Sequence, residues 1–149
     1  IPAFSGLGAP YWKADAKAML YGMSRTTGKN EVVRAALESI AYQIADIVEG
    51  MQYDKGMSKS VLRVDGGATE NAYLMQFQSD ILQKKVEVSA CQEASAYGAA
   101  LLSGEKAEIY DDKVFSDLRA CQVYKPKMPE SKRQEKWKGW RNAMEKVLR

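Results

Sequence analysis

The run KSVLRVDGGATENAYLMQFQSDILQKKVEV, residues 59–88, decides the fold. It opens with alternation: Val61, Arg63 and Asp65 fall on one side of an extended chain, Leu62 and Val64 on the other. That is the period of a half-buried strand. Gly66 and Gly67 break it. From about 69 to 82 the residues Tyr73, Leu74, Phe77, Ile81 and Leu82 recur at the three- and four-residue spacing of one helix face. Residues 84–88 return to a short strand. Strand, glycine turn, helix, strand is an α/β unit; whether the second strand runs parallel or antiparallel depends on the crossover.

The glycine turn is also where ligand chemistry is expected. Bare main chain at Gly66 and Gly67 lets a ring or a phosphate lie against it. The helix start that follows offers unpaired N–H groups and a positive dipole end. Asn71, in the first turn, can donate and accept hydrogen bonds. In α/β sheets, ligands gather at the carboxyl ends of strands, where this turn lies. Gly66, Gly67 and Asn71 are therefore candidates for nucleotide binding, against the alternative of a plain tight turn. The stretch is neither a P-loop nor a GxGxxG fingerprint, so Walker-type and dinucleotide readings have no support. Asp65 either holds a metal-bound water or caps the turn.

Upstream, the spacing predicts a long helix from 30 or 31 to 51. Val33, Ala36, Leu37, Ile40, Ala41, Ile44, Ile47, Val48 and Met51 form its expected buried face. Asn30 or Thr27 is the expected N-cap, and Gly50 and Gly56 mark the end. Glu38, beside Ser39, reads as a paired structural carboxylate in preference to a catalytic one. The loop Arg25-Thr26-Thr27-Gly28 leads into this helix, with phosphate contact as the sharper alternative. Residues 17–23 (KAMLYGM) read as a strand, and residues 1–17, rich in Gly, Pro and aromatics, as irregular chain.

Downstream, residues 94–103 (ASAYGAALLS) read as a helix ended by Gly104. Its small residues Ala96, Gly98, Ala99 and Ala100 predict close packing against another backbone. Residues 110–128 are mixed. Residues 129–148 form an amphipathic helix docked through Trp137 and Trp140.

Composition bounds the rest. The chain has 149 residues, 46% of them hydrophobic and 28% charged. That suits one ordered domain, with no apolar run long enough to span a bilayer and no visible signal peptide. The first residue is not Met, so Ile1 is not expected to be the natural start of translation. There are no histidines, which excludes Ser-His-Asp and Cys-His chemistry and His-ligated zinc. Cys91 and Cys121 sit in no CxxC motif and are expected as free thiols in a reducing, cytosolic compartment. Between 125 and 149 lie nine Lys and Arg against three Glu; with a helical apolar stripe in the same stretch, a solvated basic face is expected in preference to a nucleic-acid site.

Four ordered stretches carry a resemblance: IPAFSGLGAPYW (1–12), AMLYGMSRTTGKNEVVRAALESIAYQ (18–43), VLRVDGGATENAYLMQFQSDIL (61–82) and EASAYGAALLSG (93–104). Together they resemble the carboxyl-terminal lobe of the FGGY family of carbohydrate kinases. The second stretch fits a family signature through Glu31-Val32, Ala35 and Leu37-Glu38. The third looks like the family's adenosine-binding turn. Lys13 and Lys17 stand where the family usually has an acidic residue and an Arg, and Gln92-Glu93-Ala94-Ser95 also departs from the usual pattern.

The resemblance implies an incomplete ribonuclease H-like lobe of the actin, hexokinase and Hsp70 type. Residues 1–149 would be part of the nucleotide-side lobe, with 129–149 its C-terminal amphipathic helix. It implies ATP and Mg2+ as cofactors, the magnesium ligands lying mostly outside this chain. Gly66 and Gly67 would lie against the adenosine and Asn71 near the adenine. The reaction implied is transfer of the γ-phosphoryl group to a hydroxyl of glycerol, or of another polyol or sugar such as xylulose, bound through the other lobe. The base, an Asp, belongs to that other lobe, so no catalytic residue and no metal ligand is assigned here. A cytoplasmic protein is implied, with ATP or ADP as partner, neither nucleic acid nor membrane, and self-association into a homo-oligomer in view. The non-enzymatic alternative is a structural or interaction module.

Overall fold

The computed structural model describes residues 1–55, 61–91, 93–109 and 120–149. Its elements in chain order are α1 (Lys29–Lys55), β1 (Val61–Val64), a 3-10 turn (Gly67–Glu70), α2 (Ala72–Leu82), β2 (Lys85–Ser89), α3 (Ala94–Lys106), β3 (Ala120–Tyr124) and α4 (Glu130–Leu148). The expected helix stop at Gly56, the strand start at 59–60 and the stretch 110–119 lie outside the described residues.

The strands form one sheet in the order β1-β2-β3. β1 and β2 are parallel, with Leu62 opposite Val86 and Val64 opposite Val88. The crossover left open by the sequence is therefore a parallel βαβ unit, with α2 as its helix. β3 joins β2 antiparallel, with an irregularity between Val88 and Ser89. Alternation holds as expected: Leu62 and Val64 pack against the core, Val86 and Val88 are buried in it, and Arg63 is exposed beside Glu87.

α2 is the centre of the molecule. It lies on β2 and β3 and carries α1 and α4 on its other flank. Being covered on several sides, it buries polar residues as well as apolar ones, most of whose polar atoms are bonded, the Gln78 Oε1 being left without a partner among the described residues. Asp80 Oδ1 accepts from the backbone N–H of Lys127 (2.6 Å) and Met128 (3.1 Å), which fixes the turn between β3 and α4. Gln78 Nε2 donates to the Ala41 carbonyl on α1, and Arg133 Nε of α4 donates to the Ile81 carbonyl at 2.7 Å. A buried polar group costs stability unless bonded in this way.

The tryptophan docking of the last helix is as expected. Trp140 stacks on Tyr42 of α1 with ring centroids 5.0 Å apart, and Phe77 of α2 meets Tyr42 edge-on at 5.4 Å. Such pairs add about 0.5–1.5 kcal/mol beyond the area they bury.

Four expectations are corrected. First, residues 17–23 form no strand. An extended segment is stabilised by a ladder partner, and none of the described strands pairs with this one. Second, the apolar stripe of α1 is not its buried face. Ala41 is buried as expected, but with Glu38, Ser39, Tyr42, Ala45 and Asp46. Val33, Ile40 and Met51 are 50%, 42% and 56% exposed. Third, α3 runs through Gly104, which is buried inside it, and ends at Lys106. The close backbone packing expected of its small residues is absent among the described residues: Ala96, Ala99 and Ala100 are exposed, and a Cβ on Gly98 would meet nothing within 4 Å. Fourth, α1 is capped by neither Asn30 nor Thr27. Gly28 precedes the helix, and its N–H is bonded by the Glu31 carboxylate at 2.9 Å, half of a capping box. Thr27 instead closes a hydroxyl-bonded turn with Ser24.

Candidate functional site

At the carboxyl end of β1 the chain leaves the sheet through Gly66, whose φ of +88° is a conformation other residues adopt with strain. Gly67 then opens the 3-10 turn. A Cβ placed on either glycine would meet nothing within 4 Å. The main chain therefore faces open space at the end of a parallel strand, which is the arrangement expected of a ligand platform.

Two side chains hold the turn. Thr69, buried, donates through Oγ1 to the Gly66 carbonyl at 2.7 Å, and its backbone N–H reaches the same oxygen at 3.0 Å. Asn71 is the N-cap of α2, its Oδ1 accepting from the Leu74 N–H at 3.0 Å. The helix expected from about 69 is thus a 3-10 turn followed by α2, with Asn71 at the junction. One end of the Asn71 amide is committed to capping; its Nδ2 makes no hydrogen bond among the described residues and is left to donate. The structure brings Gly66, Gly67 and Asn71 together at one corner. Thr69 was not legible as a participant, although a Thr three residues after the first glycine is the spacing at which its hydroxyl can reach back to a main-chain carbonyl.

Asp65 stands exposed at the end of β1. Among the described residues no group of three or more Asp, Glu or Cys could hold a metal ion. Nor does the Arg25-Thr26-Thr27-Gly28 loop join the glycine corner through any described hydrogen bond; it serves as the entry to α1.

Behind the corner, Glu38 ties three helices together. Its carboxylate accepts from Tyr73 Oη of α2 (2.5 Å), Arg34 Nε (2.7 Å) and Lys136 Nζ of α4 (3.1 Å). Burial pushes its pKa up, but the hydrogen bonds from Tyr73 and Arg34 and the Lys136 charge outweigh that and hold it below the usual carboxylate range. The structural-carboxylate expectation for Glu38 is met.

Asp46 is the counter-example. It is 2% exposed, accepts from Trp140 Nε1 at 2.8 Å through Oδ2, and lies 3.7 Å from Arg141 Nη2 through Oδ1. Among the described residues neither Oδ1 nor the nearby Tyr11 hydroxyl has a hydrogen bond. Burial wins here and pushes the Asp46 carboxyl up, although Trp140, Tyr11 and Arg141 pull the other way. The same burial, with Asp46 close by, pushes the Tyr11 phenol up. Cys91 is a free, half-buried thiol as expected; the Cys121 side chain lies outside the described residues.

A βαβ unit leaves open glycine backbone at the first strand's exit, and comparison with known proteins identifies the class. Residues 1–105 match the model of the FGGY family of carbohydrate kinases, C-terminal domain, and the chain belongs to that family. Among individual proteins it is similar to the glycerol kinase of Pasteurella multocida (strain Pm70), 47% identical over 152 residues, and to that of Haemophilus influenzae (strain Rd), 45% identical over 150. Each alignment covers 99% of this chain and 30% of the relative. The crystal structure of Plasmodium falciparum glycerol kinase with ADP superposes with a TM-score of 0.84 at 45% identity, over 99% of this chain and 30% of that one. A xylulose kinase from Lactobacillus acidophilus, at 22% identity and TM-score 0.73 over 93% of this chain and 28% of that one, shares the fold. The chain therefore has the α/β, ribonuclease H-like architecture of these kinases and spans about 30% of their length.

Proposed function

We propose that residues 1–149 are part of the C-terminal, nucleotide-binding lobe of a glycerol kinase, with 129–149 its closing amphipathic helix. Gly66 and Gly67 lie against the adenosine of ATP or ADP, and Asn71 Nδ2 donates to the base. The observation that carries this is the open main chain at the exit of β1, in a family of carbohydrate kinases. That a glycerol kinase relative binds ADP supports the nucleotide. Identities of 45–47% to glycerol kinases favour glycerol over xylulose, since the xylulose kinase likeness is one of fold.

In the complete enzyme the γ-phosphoryl group passes in line to a glycerol hydroxyl, giving glycerol 3-phosphate and ADP. A carboxylate base takes the hydroxyl proton. Magnesium, held by ligands mostly outside this chain, would neutralise charge on the phosphates. This chain supplies the adenosine platform, a rigid turn and the packed helices behind it; the base and the polyol pocket lie elsewhere in the kinase. None of the described helices is long and apolar enough to cross a membrane, and a cytoplasmic setting fits a soluble nucleotide and polyol.

The test is titration of the chain with ADP while amide shifts are recorded. Shifts centred on 65–71 are expected; shifts centred elsewhere contradict the assignment. A second reading, a non-enzymatic module that self-associates, is favoured by the exposed apolar residues of α1. It predicts no nucleotide binding and no phosphorylation when the chain is mixed with a first-lobe polypeptide.

A further inference from the structure

The glycine corner is a turn closed on itself. Thr69 returns both its hydroxyl and its N–H to the Gly66 carbonyl, the Asn71 N–H donates to the Ala68 carbonyl at 3.2 Å, and Asn71 Oδ1 caps Leu74. Such a turn keeps its own shape, but its bearing on the rest of the fold is set by what holds its two ends. One end is β1, in its ladder with β2. The other is the first turn of α2. There Leu74 and Met75 are buried, whereas Ala72 and Tyr73 are exposed. Core packing grips one side of that turn, and Tyr73 Oη, donating to Glu38 Oε1 of α1 at 2.5 Å, holds the other. The acceptor is itself pinned: Glu38 is buried, Arg34 Nε donates to the same oxygen at 2.7 Å, and Lys136 Nζ of α4 donates to Oε2 at 3.1 Å. The donor is pinned too. The Tyr73 ring stacks on Phe77 with centroids 6.2 Å apart, and the Arg34 guanidinium lies 5.8 Å from its centroid. Burial, then the Glu38 hydrogen bond and charge, push the Tyr73 phenol up, so it keeps its proton and donates.

We infer that Tyr73 and Glu38 are positioning residues for the nucleotide: their hydrogen bond fixes the first turn of α2 against α1 and so sets the direction in which Asn71 Nδ2 donates. Tyr73 stands two residues from Asn71, about 3 Å of helix rise, so a shift of that turn is carried to the Asn71 amide almost undiminished. Neither residue is assigned a contact with the nucleotide; both act through Asn71. The consequence for binding rests on the adenosine assignment, while the hold on Asn71 does not. Glu38 thereby has a second duty beyond joining three helices, because packed side chains and hydrogen bonds of this kind carry coupling to a neighbouring site.

Two measurements test it, and the first needs no nucleotide. Tyr73→Phe removes one oxygen and keeps the ring. In that variant the Asn71 side-chain amide resonances are expected to shift and the Leu74 amide, capped by Asn71, to exchange about tenfold faster, while the amides of β2 keep their rates. Unchanged Asn71 and Leu74 signals, or faster exchange spread evenly over the core, overturn the inference. The second is calorimetric titration with ADP well below the melting temperature. Tyr73→Phe and Glu38→Leu are each expected to weaken binding about threefold or more, and the double variant no further than the weaker single one, because both break the same bond. Glu38→Gln keeps an oxygen for Tyr73 and recovers most of the affinity that Glu38→Leu loses, despite its lower stability. Asp46→Leu, which loses stability away from the corner, stays within about twofold of the parent. Affinities that simply follow the melting temperatures of these variants overturn the inference. Tyr73→Phe decides even where Glu38→Leu fails to fold. The adenosine assignment fails separately, through ADP shifts in the parent that fall away from 65–71, and the exchange measurement then still decides whether Tyr73 sets Asn71.

Discussion

At the glycine corner, space and strain separate the roles of neighbouring residues. Gly67 has open space where a Cβ would stand and lacks the positive φ of Gly66. Gly67→Leu is therefore expected to shift stability by no more than about 1 kcal/mol while weakening ADP binding about tenfold or more, measured by calorimetry beside a thermal melt. Thr69→Val keeps the shape but loses the 2.7 Å bond to the Gly66 carbonyl. A loss of about 0.5–1.5 kcal/mol in urea unfolding is expected, with weaker ADP binding as the turn loosens. The glycines and Asn71 were legible because a strand running into two glycines and a helix is a local pattern. The capping duty of Asn71 and the bond of Thr69 were not, because they depend on where the helix begins, and a 3-10 turn moved that start.

Among elements, the junction of α1, α2 and α4 sets the acid response. Glu38 has a depressed pKa, so its contribution is present at neutral pH and is lost as pH falls below about 4.5, through its lower folded value. Asp46 has a raised pKa, so ionising it in the folded protein costs stability as pH rises from its unfolded value near 3.8 through its folded one. Glu38→Gln is expected to lose about 1–3 kcal/mol at pH 7, with the loss shrinking as pH falls below 4.5. Asp46→Asn retains an acceptor for Trp140 Nε1 and removes the buried charge. Its melting temperature at pH 7 should equal or exceed that of the parent, whereas Asp46→Leu, which strands the indole N–H, should fall below it. Chemical denaturation from pH 3.5 to 7.5 checks all three. Trp140→Ala, which opens the stack on Tyr42, should cost about 3–5 kcal/mol.

For the whole molecule, the α/β order was legible in residues 59–88 because period-two and period-3.6 patterns alternate there around glycines. Periodicity finds an apolar face but says nothing of what covers it. That is why, among the described residues, the stripe from Val33 to Met51 read as buried and is exposed or half-buried, 17–23 read as a strand and joins no sheet, and Ala96, Ala99 and Ala100 of α3 read as a packing face and are exposed. The buried face of α1 was hidden for the converse reason: Glu38 and Asp46 are acidic, and their burial depends on Tyr73, Lys136 and Trp140, up to 98 residues away in sequence, while Ser39 turns its hydroxyl back onto the Ala36 carbonyl.

Bare main chain at the exit of β1 is the proposed seat for adenosine, and a crystal structure of this chain with ADP would show whether it is. The adenine and ribose are expected against the Gly66-Gly67 backbone, with Asn71 Nδ2 within hydrogen-bond reach of the base. A structure in which side chains of the protein fill that corner, or in which ADP binds elsewhere and leaves it empty, would rule the seat out.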